Sequence, residues 1–353
     1  MSRLVRSLSL LFAFAVLLAA PSQAISEDRP AASEGKAAGS PLPAQPVGVK
    51  PRDEKPAVDS AALFEQGGAL TPRGQLVFEP SFQYSHSSTN LVSVVGYTII
   101  PSITVGLINI KNVESNTLVG SLGLRYGLTS RLEGEVKVPY VYRTESTSTD
   151  SAGTGGQNVT SVFSADGNDL GDVEFGLRYQ LNRVGPSYWL LGLRVKSNTG
   201  KDPFQMPVDP VTGFYTELPT GSGFWGIQPG LTLIVPSDPA VFFGSVSYMF
   251  NIPRNISGVG DVDPGDIIDA NFGLGFALND KTSISLGYDH SIVGRVKRDE
   301  SYLPGTMVTQ LGTLLIGFSF RASESMSYVF SLGAGLTQAA PDVQLTIKVP
   351  FTL

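Results

Sequence analysis

Apolar and polar residues alternate one by one along most of the chain after Leu70. The clearest run is Arg131 to Arg143. There Leu132, Val136, Val138, Tyr140 and Tyr142 share one face and Arg131, Glu133, Glu135, Lys137 and Arg143 share the other. Asp172 to Leu181 repeats the pattern, as does the C-terminal run, where Val343, Leu345, Ile347, Val349 and Phe351 alternate with Gln344, Thr346, Lys348 and Thr352. In other runs the second face carries small residues, as with Ser327, Ser331, Gly333 and Gly335 opposite Tyr328, Phe330 and Leu332. A period of two with one apolar face defines β-strands that bury or wet one side only.

A soluble sandwich and a membrane barrel both give that pattern, and the spacing of the connections separates them. Short turns fall near Thr129-Ser130, Asn182 to Pro186, Ser237-Asp238, Asn279-Asp280 and Ala322 to Ser325, with long loops between them around 145–167, 199–221, 253–265 and 295–305. Short turns at one end and long loops at the other describe an outer-membrane barrel. Aromatics near strand ends (Tyr140, Tyr142, Tyr188, Trp189, Trp225, Tyr248, Phe250, Tyr288) suit interfacial girdles.

Strands are expected over 115–128, 131–144, 168–181, 187–198, 222–235, 239–252, 266–279, 281–293, 306–321, 325–337 and 342–353, after a first one starting near Gln75. The expectation is therefore an all-β, transmembrane antiparallel β-barrel of about twelve strands over residues 70–353, with both ends on the periplasmic side. Residues 91–110 are nearly all apolar or small. Their β-branched content and Pro101 make a poor transmembrane helix, and counting them as a strand would break the even number, so they are placed in the first outer loop.

The N-terminus reads as a secretory signal peptide over residues 1–24: Arg3 and Arg6, then an apolar run Leu8 to Ala20, then small residues to Ala24. Residues 25–69 form a Pro/Ala-rich linker on the periplasmic side, with too little apolar surface to offset the entropy of ordering. Ala57 to Gly67 is its one stretch with helix character.

Composition narrows the chemistry. The chain holds 353 residues, no Cys and two histidines, which removes thiolate metal sites, cysteine nucleophiles and disulfides and leaves little for a zinc site; no cofactor or metal is expected. A formal charge of −6 argues against a nucleic-acid partner. The expected partners are outer-membrane lipid, the barrel assembly machinery of a Gram-negative cell, and a passing solute or polypeptide.

By register, the lumen candidates are Arg125, Arg131, Glu133, Glu135, Lys137, Arg143, Asp172, Glu174, Arg178, Arg194, Lys196, Asp269, Asp289, Arg321 and Lys348. Opposite charges on neighbouring strands pair, so a salt-bridged, water-filled wall is favoured over a specific binding track. The tethered segment 57–68 is expected to occlude the pore in part, with Leu63 and Phe64 against the rim and Glu65 meeting Arg131 or Arg178.

Several motifs carry a family resemblance: Leu170-Gly171-Asp172-Val173-Glu174-Phe175-Gly176-Leu177-Arg178-Tyr179, Thr199-Gly200-Lys201-Asp202-Pro203-Phe204, Gly221-Ser222-Gly223-Phe224-Trp225-Gly226, Leu286 to Ser291 and Ala340 to Leu345. They resemble the transporter-like outer-membrane proteins of the meta-pathway of phenol degradation, related to the barrel of the pseudomonad functional-amyloid secretion channel. The resemblance implies a passive outer-membrane channel, for aromatic uptake in one branch and for export of amyloid subunits in the other. A homotrimer goes with the export branch, whose N-terminal coiled coil has no heptad counterpart in residues 25–68.

Two other classes remain as rivals, an outer-membrane hydrolase and a structural or adhesive barrel. His86-Ser87-Ser88 and Asp289-His290-Ser291 supply triad residue types, but neighbours on a strand point to opposite faces, so Asp289 cannot orient His290. No catalysis is expected, and His290 is expected at the outer rim.

Overall fold

The computed structural model of the chain describes residues 70–88, 110–152, 158–182, 184–207, 209–210, 215–303 and 306–353. The signal peptide, the linker with its helix over 57–67, and all but Ile110 of the apolar stretch 91–110 lie outside the described residues.

In chain order the strands are β1 (Leu76–Ser88), β2 (Ile110–Gly127), β3 (Leu132–Ala152), β4 (Asn158–Leu170), β5 (Glu174–Gln180), β6 (Tyr188–Lys196), β7 (Gly226–Ser237), β8 (Ala240–Asn251) and β9 (Arg254–Ile256). There follow β10 (Gly260–Asp263), β11 (Ile267–Ala277), β12 (Thr282–Val293), β13 (Lys297–Arg298), β14 (Ser301–Tyr302), β15 (Thr309–Arg321), β16 (Ser327–Gly335), β17 (Val343–Lys348) and β18 (Phe351–Thr352). β1 pairs with β2 on one edge and with β17 and β18 on the other, so the sheet closes on itself. β4 and β5 make one stave, broken at 171–173, and β17 and β18 make another. The result is an antiparallel barrel of twelve staves, as the alternation predicts.

The turns at one end follow from local chemistry. Thr129 Oγ1 accepts from the backbone N–H of Arg131 and Leu132, and Asn279 Oδ1 from those of Lys281 and Thr282, which closes each chain reversal on itself.

The outward face is apolar and open: Leu122, Leu124, Phe175, Leu177, Leu191, Leu193, Phe272, Leu286, Ile316 and Leu332 are all exposed. A continuous apolar belt of this kind would be an aggregation surface in water and is what a bilayer solvates. On β3 the outward set runs from Leu132 to Tyr142. Ten steps of ~3.3 Å, tilted by ~40°, span a height of ~25 Å, the usual apolar band of such barrels. Tyr84, Tyr140, Tyr142, Trp225, Tyr248 and Tyr288 lie toward the long-loop end, and Tyr126, Tyr179 and Tyr188 toward the short-turn end, so both girdles are present.

The long connections differ from the expectation of loops. Residues 145–152 and 158–167 are strand, because β3 and β4 continue well past the girdle and pair with each other, with β2 on the far side of β3. The segments 253–265 and 295–305 contribute a separate four-stranded sheet in the order β14-β13-β10-β9. A small core of Phe224, Ile256, Val262 and Val296, with Phe204 and Val259 against it, gives that end apolar packing of its own.

Candidate functional site

Inward-facing charges pair across the staves. Arg125 meets Glu79 at 2.6 Å, and Lys348 approaches the same carboxylate at 3.9 Å. Arg178 donates both Nε and Nη2 to Glu133, with Nε at 2.9 Å. From there a belt of polar bonds runs across six strands, β5 to β12. Arg194 lies 3.3 Å from Glu174 and donates Nε to Gln228 (2.7 Å). Gln228 donates to Ser247 and Asp269, both at 2.7 Å, and Ser291 donates to the other oxygen of Asp269 at 2.5 Å. Each member of the belt holds the next across the strands, so a continuous belt stiffens the wall.

The break between β4 and β5 is where three of the sequence motifs meet. Asp172 has no solvent exposure. Its Oδ1 accepts from the N–H of Gly200 (3.1 Å), and its Oδ2 from Lys196 Nζ (3.1 Å), Ser222 N (2.9 Å) and Ser222 Oγ (2.7 Å). Lys196 also donates to Ser222 Oγ and to the Phe224 carbonyl. The interrupted ladder leaves backbone groups that need partners. Thr199 Oγ1 accepts from Val173 N and donates to Gly171 O, while Thr220 Oγ1 donates to Leu170 O. Glycine is required here because the two chains touch: a Cβ on Gly200 would lie 2.6 Å from Gly221 Cα, and one on Gly221 would lie 2.5 Å from Asp172 Oδ1.

This knot holds residues 197–207 and 215–225 of the connection against the inner wall. Leu218 N donates to Asp166 O, Arg143 Nη1 donates to Pro219 O at 3.3 Å, and Lys201 pairs with Glu217. Arg254 reaches from β9 to pair with Asp202 and stacks on the rings of Phe204 and Phe224. The motif residues therefore narrow the long-loop end from within. Beyond the girdle, burial pushes the Glu145 carboxyl up, with the Arg143 charge pulling the other way.

The short-turn end is narrowed as well. Residues 70–74 turn inward before β1 begins: Thr71 N donates to Glu133 Oε2 at 2.6 Å, Gly74 N donates to Gly127 O at 2.8 Å, and Leu70 packs on inward-facing Leu190, Ile234, Val241 and Phe243. A Cβ on Gly127 would lie 2.1 Å from Pro72 O, so a residue without one admits this close approach. The strand pattern starts only at Leu76 and carries no sign of this inward turn.

Of the lumen candidates, Arg125, Glu133, Asp172, Glu174, Arg178, Arg194, Lys196 and Asp269 enter the network described, and Arg143 reaches the inner loop. Glu135, Lys137, Asp289 and Arg321 occupy inward register positions on their strands. Arg131 departs from expectation. It precedes β3, so the period of two does not govern it, and its guanidinium lies 4.8 Å over the ring of Tyr179, on the face shared with exposed Leu177 and Leu181. The occlusion candidates Leu63, Phe64 and Glu65 lie outside the described residues. Arg254, Thr199, Thr220 and Ser222 have roles that alternation could not reveal, since they sit in or between the long connections; Thr199 and Ser222 fall in the quoted motifs, and no sequence signal marks Thr220 or Arg254.

A closed wall with an apolar exterior, aromatic girdles and a polar interior defines an outer-membrane β-barrel protein. No protein-family model matches the chain. Among solved structures it is similar to an outer membrane channel from Pseudomonas putida F1, with a TM-score of 0.55 at 14% identity, covering 81% of this chain and 97% of that one. It is more distantly similar to the translocator domain of autotransporter NalP from Neisseria meningitidis (TM-score 0.41, 10% identity, 83% and 91% covered). The Pseudomonas putida toluene transporter TodX gives a TM-score of 0.38 at 12% identity, with 80% and 89% covered.

Proposed function

We propose that the chain is a passive outer-membrane channel for small aromatic or other apolar solutes, a transporter of the meta-pathway type. The observation that carries this reading is the barrel interior. Twelve staves exceed the eight whose side chains can fill a barrel, and the inward face bears paired charges and small residues, while the chain's own segments narrow both ends. Export of a polypeptide is disfavoured by the inward-tied connection 197–225, which a passing chain would have to displace.

We propose no catalytic role for the histidines. His290 Nδ1 meets Tyr288 Oη at 2.9 Å and His86 Nδ1 meets Asn116 Oδ1 at 2.9 Å. These partners lie on the outward face, apart from the polar interior. The segment 57–68 would extend the occlusion begun at residues 70–74, with Leu63 and Phe64 toward the apolar patch that receives Leu70.

Single-channel recording in planar bilayers tests the reading, with benzyl alcohol and toluene as solutes. Discrete conductance steps that either solute reduces are expected, with larger steps after deletion of residues 25–68. A heat-modifiable, folded barrel that shows no conductance in either form would overturn it.

A further inference from the structure

Arg125, Arg178 and Arg194 each direct their guanidinium at a carboxylate, and Arg178 does so through one edge of the group. Its Nε–H and Nη2–H, the two parallel donors on one edge, both go to Glu133 Oε1. Arg143 is different. It is buried at 2% exposure, Nη1 is tied to Pro219 O at 3.3 Å, and Nε and Nη2 have no partner. The unmatched atoms are the same parallel edge that Arg178 uses. Beside it on the inner face, Thr117 stands directly opposite Arg143, and Ser115, diagonal to it, has a buried Oγ that also lacks a partner. Glu145, two residues along the strand, forms no bond to this edge.

A buried guanidinium edge and a buried hydroxyl left together without acceptors are costly unless something visits them. We propose that the Arg143 edge, with Ser115, is a binding site for the carboxylate of a small organic acid, so that the channel selects aromatic carboxylates over their neutral counterparts. Pro219 fixes the plane of the guanidinium, and the two parallel N–H groups match the two oxygens of one carboxylate. Glu145 beside the site would favour release, since its charge opposes a second anion. The inference rests on the channel reading and names its substrate class.

The test measures equilibrium binding of benzoate to the full-length barrel in detergent by calorimetry, with benzamide as the neutral isostere, so its outcome does not depend on conduction. Benzoate is expected to bind and benzamide to bind far more weakly. Arg143→Met should weaken benzoate by roughly ten- to a hundredfold, the range that charge-assisted bonds command. Arg143→Lys, which keeps the charge but not the two-donor edge, should fall between, and it serves if the methionine variant does not fold. Glu145→Gln should bind benzoate at least as well as wild type.

Equal affinity for benzoate and benzamide, or Arg143 variants that bind like wild type, would overturn the site. Benzoate binding that appears only in Glu145→Gln would also overturn it, by making Glu145 the edge's own partner. A barrel that conducts without binding benzoate sinks this inference alone, whereas one that binds benzoate and never conducts sinks the channel.

Discussion

Asp172→Ala is the sharpest perturbation of the inner loop. Asp172 and Lys196 are a buried pair, at 0% and 4% side-chain exposure, and removing one partner of such a pair costs about 3–5 kcal/mol because the other charge is left uncompensated. The substitution also takes the acceptor from Gly200 N, Ser222 N and Ser222 Oγ. Lys196 keeps its bonds to Ser222 and Phe224 O, and water can enter an open lumen, so the lower end of that range applies to release of the connection 197–225. At about 1.4 kcal/mol per factor of ten, ~3 kcal/mol raises the released population by more than about a hundredfold.

Trypsin reads that population at Lys201, whose backbone N–H donates to Thr220 Oγ1 and whose ammonium pairs with Glu217 in the docked state. Cleavage follows the open fraction when reclosing is fast. The rate at Lys201 should therefore rise by about two orders of magnitude in Asp172→Ala. It should fall back in Asp172→Ala with Lys196→Met, where no orphan charge remains. A folded, heat-modifiable Asp172→Ala barrel cleaved at the wild-type rate would refute the assignment of Asp172 as the clasp.

Gly127→Val should push residues 70–73 off the wall, since the new side chain would meet Pro72 O and Thr71 O, and single-channel conductance should increase; Gly120→Ala, where a Cβ meets nothing within 4 Å, is the control that leaves it unchanged. Arg254→Ala removes the pair with Asp202 and the stacking on Phe204 and Phe224, a local loss of about 1–3 kcal/mol. Hydrogen exchange should speed up in β9 and β10 and stay slow in β7 and β8. His86→Ala and His290→Ala should leave assembly and conductance intact, and an esterase or protease activity lost in either variant would contradict the absence of catalysis.

How much of this was legible in the residues depended on what each segment faces. Staves between lipid and lumen have two unlike surroundings, so alternation such as Leu132 to Tyr142 against Glu133 to Arg143 marks them plainly. Beyond the girdle that contrast disappears. Residues 145–152 hold no large apolar residue, and 158–167 scatter Val159, Val162 and Phe163 without a period of two, so both read as loop although they pair in register. Inward position was equally legible for Glu133, Glu174, Arg178 and Arg194, which lie within strands, and failed for Arg131, which lies before one. Contacts across the lumen, such as Leu70 on Phe243 or Arg254 on Asp202, join residues far apart in sequence through connections, where no periodicity applies.

The same reasoning explains why the motifs cluster where the wall is broken. An intact stave satisfies its backbone through its neighbours, and many side chains suit each position. At 171–173 the ladder stops, and the freed carbonyls and N–H groups face a lipid-bounded wall in which unpaired polar groups are costly. Only hydroxyls at Thr199 and Thr220, a carboxylate at Asp172 and glycines that let the chains touch can close such a gap. Residue identity is thus most tightly constrained at the break, and the constraint binds the wall to the loop that narrows the lumen. A change that alters pore width at the long-loop end is therefore expected to map to the break between β4 and β5 more often than to the loop's exposed residues.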